Sequence, residues 1–138
     1  MKVLFDTNII LDVLLNRTGF VDLSARLVGA VENKEIEGFL CATTITTLDY
    51  LLTKAKNREK ARIEICKLLS LFQIASVNTV VLELAIHSDF KDFEDAVQYY
   101  SGESIAMDGL VTRNPKDFKQ ALLPVYTPQE LWGIIGLQ

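Results

Sequence analysis

Histidine is nearly absent from this chain: His87 stands alone among 138 residues, and only Cys41 and Cys66 carry thiols. With no His or Cys pair at metal-ligand spacing, nothing points to a zinc centre. Both cysteines lie in apolar surroundings and read as reduced, buried thiols of a cytoplasmic protein. Only three prolines occur and 49% of residues are apolar, a balance that excludes disorder. No apolar run reaches the roughly 18–20 residues that a membrane span needs, so no membrane partner is expected. A signal peptide is not expected either, because Asp6 and Asp12 interrupt the early apolar stretch and no small-residue cleavage site follows. The net charge of −4 and pI near 5.0 argue against a general nucleic-acid coat protein. They leave room for a nuclease, whose carboxylates hold a cation and lower the net charge.

What is present is a repeated alternation of short apolar runs and helical patterns. Val3-Leu4-Phe5 reads as a buried strand that ends on Asp6, and Ile9, Ile10, Val13 and Leu14 recur at helical spacing. Further strands are predicted at Gly38–Ala42, Gln73–Val77, Gly109–Thr112 and Pro124–Tyr126. Helices are predicted over Ile9–Leu15, Leu23–Asn33, a third capped by Thr43 or Thr44, then Glu59–Ser70, Thr79–His87 and Asp92–Ser101. A last helix follows Thr127-Pro128-Gln129-Glu130, a capping sequence with proline in the first turn. Strands separated by helices imply parallel pairing and helices on both faces. The expectation is one α/β domain over residues 1–138 in which strand ends gather on one edge of the sheet.

Three clusters carry chemistry. Asp6 sits between a strand and a helix, where open α/β sheets place ligands, although Asp6 or Thr7 also suits a plain helix cap. Asp92-Phe93-Glu94-Asp95-Ala96-Val97 opens a helix. The helix dipole accounts for Asp92 and Glu94 there, but Asp95 falls at a position that turns inward, about 100° from Glu94. Thr112-Arg113-Asn114-Pro115-Lys116-Asp117 combines a turn with cations and oxygen donors. Hard cations such as Mg²⁺ take one or two carboxylates together with waters and substrate phosphate. Asp6, Asp95 and the Asn114/Asp117 turn supply such oxygens, with Asp92 or Asp117 helping through water. Arg113 and Lys116 are placed to steady a phosphate, and Thr7 to donate near the metal. Two further polar features have plain explanations available: Lys54, Lys56, Arg58, Lys60 and Arg62 as a solvated strip, and Tyr99 and Tyr100 as core rather than base-stacking residues.

The segments Val3-Leu4-Phe5-Asp6-Thr7-Asn8, Asp92-Phe93-Glu94-Asp95-Ala96 and Val111-Thr112-Arg113-Asn114-Pro115-Lys116-Asp117-Phe118 together resemble PIN-domain proteins, including VapC-type toxin ribonucleases. The resemblance runs on to Tyr126-Thr127-Pro128-Gln129-Glu130. It implies a three-layer α/β/α sandwich with a central parallel sheet, and Mg²⁺- or Mn²⁺-dependent cleavage of single-stranded RNA. By position, Asp6 matches the family's first acid, Asn8 its supporting polar residue and Asp95 a metal ligand. Asn114 falls where many members carry a further acid, and Asp117 is the acid three residues on. Thr47 occupies a position that the family usually gives to Glu. Asp49 is two residues away, about 200° around a helix, so Asp92 is the better source of the missing charge. The resemblance also implies an antitoxin partner that blocks the site and a homodimer to which the helix of Trp132 contributes. Two other readings stay open. One is an RNA-binding or protein-interaction module that has lost catalysis; the other is a phosphotransferase with Asp6 as nucleophile, weakened by Asn8 where a second carboxylate is wanted.

Overall fold

The computed structural model describes residues 1–136. Its strands are β1 (Lys2–Phe5), β2 (Glu37–Cys41), β3 (Gln73–Ala75), β4 (Gly109–Val111) and β5 (Val125–Tyr126). The helices are α1 (Thr7–Leu14), α2 (Val21–Glu32), α3 (Ala42–Ala55), α4 (Arg58–Leu71), α5 (Thr79–Ile86), α6 (Phe93–Ser104) and α7 (Pro128–Ile135), with a 3-10 helix at Pro115–Phe118. All strand pairs are parallel, in the order β3-β2-β1-β4-β5. The chain builds outward from β1 through β2 to β3, then returns to β1's other side for β4 and β5. That reversal puts the switch point between β1 and β4.

Alternation along β1 divides the core. Val3 and Phe5 face α1, α2, α4 and α7, whereas Leu4 faces Tyr99 of α6, Met107 and Phe118. Helices thus cover both faces of the sheet in the expected three layers. Close approach on the larger face needs Gly38, since a Cβ there would lie 2.6 Å from Val31 Cγ2 and 2.7 Å from the Phe72 ring. At the far end, Thr127 and Glu130 form a reciprocal capping box, as the sequence predicts. Among the described residues no helix is long and apolar enough to cross a membrane.

Some expectations are corrected and others hold. The strand expected over Gln73–Val77 stops at Ala75, because Asn78 turns to cap α5 by accepting from Val81 N. Helix α3 begins at Ala42 after Cys41, and neither Thr43 nor Thr44 caps it; Thr44 is buried and turned toward Thr7. Cys66 is exposed, because α4 buries the neighbouring Ile65 stripe instead. Tyr99 is buried, its hydroxyl accepting from the backbone N–H of Leu122 and Leu123, so it cannot stack on a base. The basic strip is solvated, with Arg62 paired to Asp49 at 3.1 Å on the outer surface. Trp132 packs, half-buried, against the core cluster.

Candidate active site at the carboxyl ends of β1 and β4

Phe5 and Val111 are register partners, so the next residues, Asp6 and Thr112, emerge side by side at the switch point. Asp6 occupies the N-cap position of α1, yet its side chain makes no capping bond. Instead Thr112 Oγ1 donates to Asp6 Oδ2 at 2.8 Å and Gln98 Nε2 donates to Oδ1 at 3.1 Å. The plain capping reading is therefore set aside: this carboxylate is aimed across the sheet edge. Gln98 is held in turn, its Oε1 accepting from Thr7 N at 3.3 Å and from Thr44 Oγ1 at 3.5 Å. Thr112 Oγ1 also accepts from Asn114 N at 3.1 Å. Gln98, Thr44 and Thr112 are all buried, which gives Asp6 a rigid neutral cradle. Sequence reading gives none of the three this role, since neutral polar residues in apolar segments carry no spacing signal.

Helix α6 brings the second acid. Asp92 Oδ1 accepts from Asp95 N at 3.0 Å, a side-chain cap that fixes where the helix starts and so where Asp95 points. Asp6, Asp92, Glu94, Asp95 and Asp117 then line one cleft of about 300 Å³, with Thr7, Asn8 and Thr47 on its walls. A contiguous cleft of about 240 Å³ shares Asp92, Asp95 and Asp117, and adds Lys91, Lys116 and Lys119 on its rim. The structure thus brings Asp6, Thr7, Asn8, Asp92, Asp95, Asp117 and Lys116 together. Asn114 meets the site through its backbone N–H, and its side chain is exposed. Arg113 is not brought in. The chain bends at Arg113, and its side chain runs to α1 rather than into the cleft. There Nε stands 2.8 Å from Asp12 Oδ2 and the guanidinium lies 4.0 Å from the centre of the Phe20 ring.

The acids repel one another. Burial, followed by the charges of Asp6, Asp92, Asp117 and Glu94, pushes Asp95 up to about 7 from 3.8. Burial also raises Asp6, against the hydrogen bonds from Thr112, Gln98 and the Thr7 backbone. Glu94 is raised by burial and by Asp92 and Asp6, while hydrogen bonding from Thr47 lowers it. Among the described residues no group of three His, Cys, Asp or Glu side chains is placed to hold a metal ion. The donor set still suits a hard divalent cation: oxygens only, several of them anionic, held above their ordinary pKa by burial and mutual repulsion.

A pH prediction follows. An acid whose folded-state pKa exceeds its unfolded value retains a proton in the folded state that the unfolded chain has released, so stability falls as pH rises between the two values. In chelator, thermal stability should therefore fall from about pH 4 to about pH 7, the window set by Asp95. Asp95→Asn should flatten that slope, which thermal denaturation across pH will check.

A parallel α/β sheet with an acidic cleft at its switch point defines the class of protein. A PIN-domain family model matches residues 2–116, and the chain belongs to that family. Among solved structures, it is similar to VapBC2 of Rickettsia felis bound to a promoter DNA fragment, at 17% identity and TM-score 0.70, covering 92% of this chain and 98% of that one. It is similar also to a toxin–antitoxin complex from Klebsiella pneumoniae, at 23% identity and TM-score 0.69, covering 91% and 97%. VapC20 of Mycobacterium tuberculosis, a toxin that cleaves the sarcin–ricin loop, aligns at 14% identity and TM-score 0.64, covering 78% and 86%. No curated protein matches the chain.

Proposed function

We propose that the chain is a divalent-metal-dependent endoribonuclease for single-stranded RNA and the toxin of a toxin–antitoxin pair. The observation that carries this reading is the convergence of Asp6 and Asp95 on one acidic cleft in a PIN-family chain. Asp6 and Asp95 would hold Mg²⁺ or Mn²⁺, with Asp92 or Asp117 acting through water. When bound, the ion lowers the pKa of a water and offsets charge on the scissile phosphate. Gln98 and Thr112 orient the Asp6 carboxylate, and Thr7 and Asn8 offer hydrogen bonds at the cleft wall. Lys91, Lys116 and Lys119 line the adjoining cleft, so they fit the phosphates flanking the cut. An open cleft with a cationic rim suits a splayed strand better than a duplex recognised through its grooves.

Toxin–antitoxin complexes among the structural relatives support an antitoxin partner, one that supplies a cation to the acidic cleft. For self-association, exposed Val80 and Leu84, one turn apart on α5, offer an apolar patch, whereas Leu131 and Ile135 of α7 are buried in the core. The test is cleavage of single-stranded RNA with Mn²⁺, expected to proceed and to stop in chelator. RNA binding without cleavage under any divalent ion would instead favour the catalytically silent binding module. Lys91→Gln, Lys116→Gln and Lys119→Gln should each raise KM. Each should also make the log–log salt dependence of binding shallower, by about 0.7 for every phosphate that the protein no longer neutralises.

A further inference from the structure

The tip where α3 turns into α4 gathers more positive charge than its helices need. Lys54, Lys56, Arg58 and Lys60 stand there against one acid, Glu59, in a chain of net charge −4. The dipole at the end of α3 accounts for Lys54 and Lys56. Arg58 and Lys60 instead occupy the first turn of α4, where the dipole disfavours cations. All four are exposed, and among the described residues Lys54, Arg58 and Lys60 have no acidic partner. Lys56 Nζ donates to Leu14 O at 3.3 Å, which docks the tip against the end of α1.

The tip also continues the acidic cleft. Helices α1 and α3 both start at the carboxyl edge of the sheet, and their residues Asn8, Leu11, Thr47 and Leu51 line the cleft. Tyr50 follows Thr47 by three positions and Lys54 follows Tyr50 by four, so both share the Thr47 face of α3. Tyr50 is 60% exposed, with Lys54 Nζ 5.2 Å from its ring centre and 3.3 Å from its hydroxyl. An exposed ring beside a cation is the pairing that holds a single strand, the base on the ring and the phosphate on the cation. From Thr47 to Lys54 the helix rises about 10 Å, the length of about three nucleotides stacked at about 3.4 Å each. Lys91, Lys116 and Lys119 rim the cleft on its α6 side, so this tip supplies cations at the α3 side.

We propose that Tyr50, Lys54 and Arg58 form an RNA subsite beyond the cleft, where a base of the single strand stacks on Tyr50 and the neighbouring phosphates meet Lys54 and Arg58. The inference rests on the RNA reading above and says where the strand continues away from the acids.

The test is binding of a single-stranded RNA of about 12 nucleotides to the full chain in chelator, with 2-aminopurine placed at successive positions and the salt varied. Tyr50→Leu should weaken binding roughly tenfold and abolish the 2-aminopurine quenching, and Tyr50→Phe should restore both. Lys54→Gln and Arg58→Gln should each make the log–log salt dependence shallower by about 0.7. Lys34→Gln, in the exposed turn before β2 at the opposite edge of the sheet, should leave it unchanged. Quenching that persists in Tyr50→Leu, or slopes in Lys54→Gln and Arg58→Gln equal to that of Lys34→Gln, would overturn the subsite. Poly-glutamate binding that those two variants weaken while RNA binding holds would give the tip to an acidic protein segment and overturn it too. The nuclease reading fails separately. RNA binding with the expected variant effects but no cleavage in Mn²⁺ would remove that reading and keep the subsite. Cleavage by Tyr50→Leu and by Lys54→Gln with unaltered kcat/KM would do the reverse.

Discussion

Asp6→Asn and Asp95→Asn are each expected to lower metal-dependent RNA cleavage by roughly three orders of magnitude while leaving the fold intact. A bound ion contributes several kcal/mol of charge stabilisation, and each 1.4 kcal/mol is about tenfold in rate, so losing an anionic ligand that holds it costs about 10³. The amide is isosteric, and the cradle around Asp6 accepts it. Gln98 Nε2 still donates to the remaining carbonyl oxygen. Thr112 Oγ1, which already accepts from Asn114 N, can turn to accept from the new amide as well. Burial of the Asp6 carboxylate raises its pKa, so in the metal-free protein at neutral pH the amide relieves a desolvation cost. The thermal midpoint in chelator should hold or rise as activity falls. Measuring kcat/KM and melting on the same samples separates a missing ligand from a damaged fold. Cleavage that survives both substitutions would end the nuclease reading.

Asp6 is legible in the sequence because a buried strand terminating on a carboxylate leaves that group at a sheet edge. Asp95 is legible because its neighbours Ala96 and Val97 mark the inward face of α6, and both are buried. The parallel sheet follows from strands that alternate with helices, though the order β3-β2-β1-β4-β5 does not. Gln98, Thr44 and Thr112 escape because their importance lies in hydrogen bonds to residues as far as 106 positions away. Glu94 reads as a dipole partner, and that it also lines the acidic cleft follows from packing between elements, which no local pattern encodes. Arg113 reads as a site residue through adjacency to Asn114, whereas the chain bends there after β4 and the side chain runs to Asp12 and Phe20. Lys91 and Lys119 join the rim only because the 3-10 helix at Pro115–Phe118 stands beside the start of α6.

The residue that receives Arg113 yields the largest expected effect on stability. Asp12 is fully buried on α1, although in the sequence it stands out only as an interruption of an apolar run. Its Oδ2 lies 2.8 Å from Arg113 Nε without hydrogen-bond alignment, and its Oδ1 accepts from Arg17 Nη1 at 3.3 Å. Arg17 Nη1 also reaches Asn8 Oδ1 at 3.4 Å, so the cluster ties α1 to the turn after β4 and to the cleft wall. Removing one partner of a fully buried ion pair costs about 3–5 kcal/mol, because the other charge is left uncompensated. Here the arginine side chains keep 36% and 23% exposure, so water takes up part of the loss. Asp12→Ala is therefore expected to destabilise by about 2–3 kcal/mol, roughly 6–10 °C in melting temperature for a chain of this size. A double-mutant cycle with Arg113→Met isolates the pair, since methionine still packs on Phe20 while deleting the charge. Arg113→Met alone leaves a buried Asp12 with only Arg17, so it too should destabilise, and the double variant should cost less than the sum. Strict additivity would mean that the two charges do not support one another. Arg113 would then return as a free cation, available to a phosphate on the far side of the sheet edge.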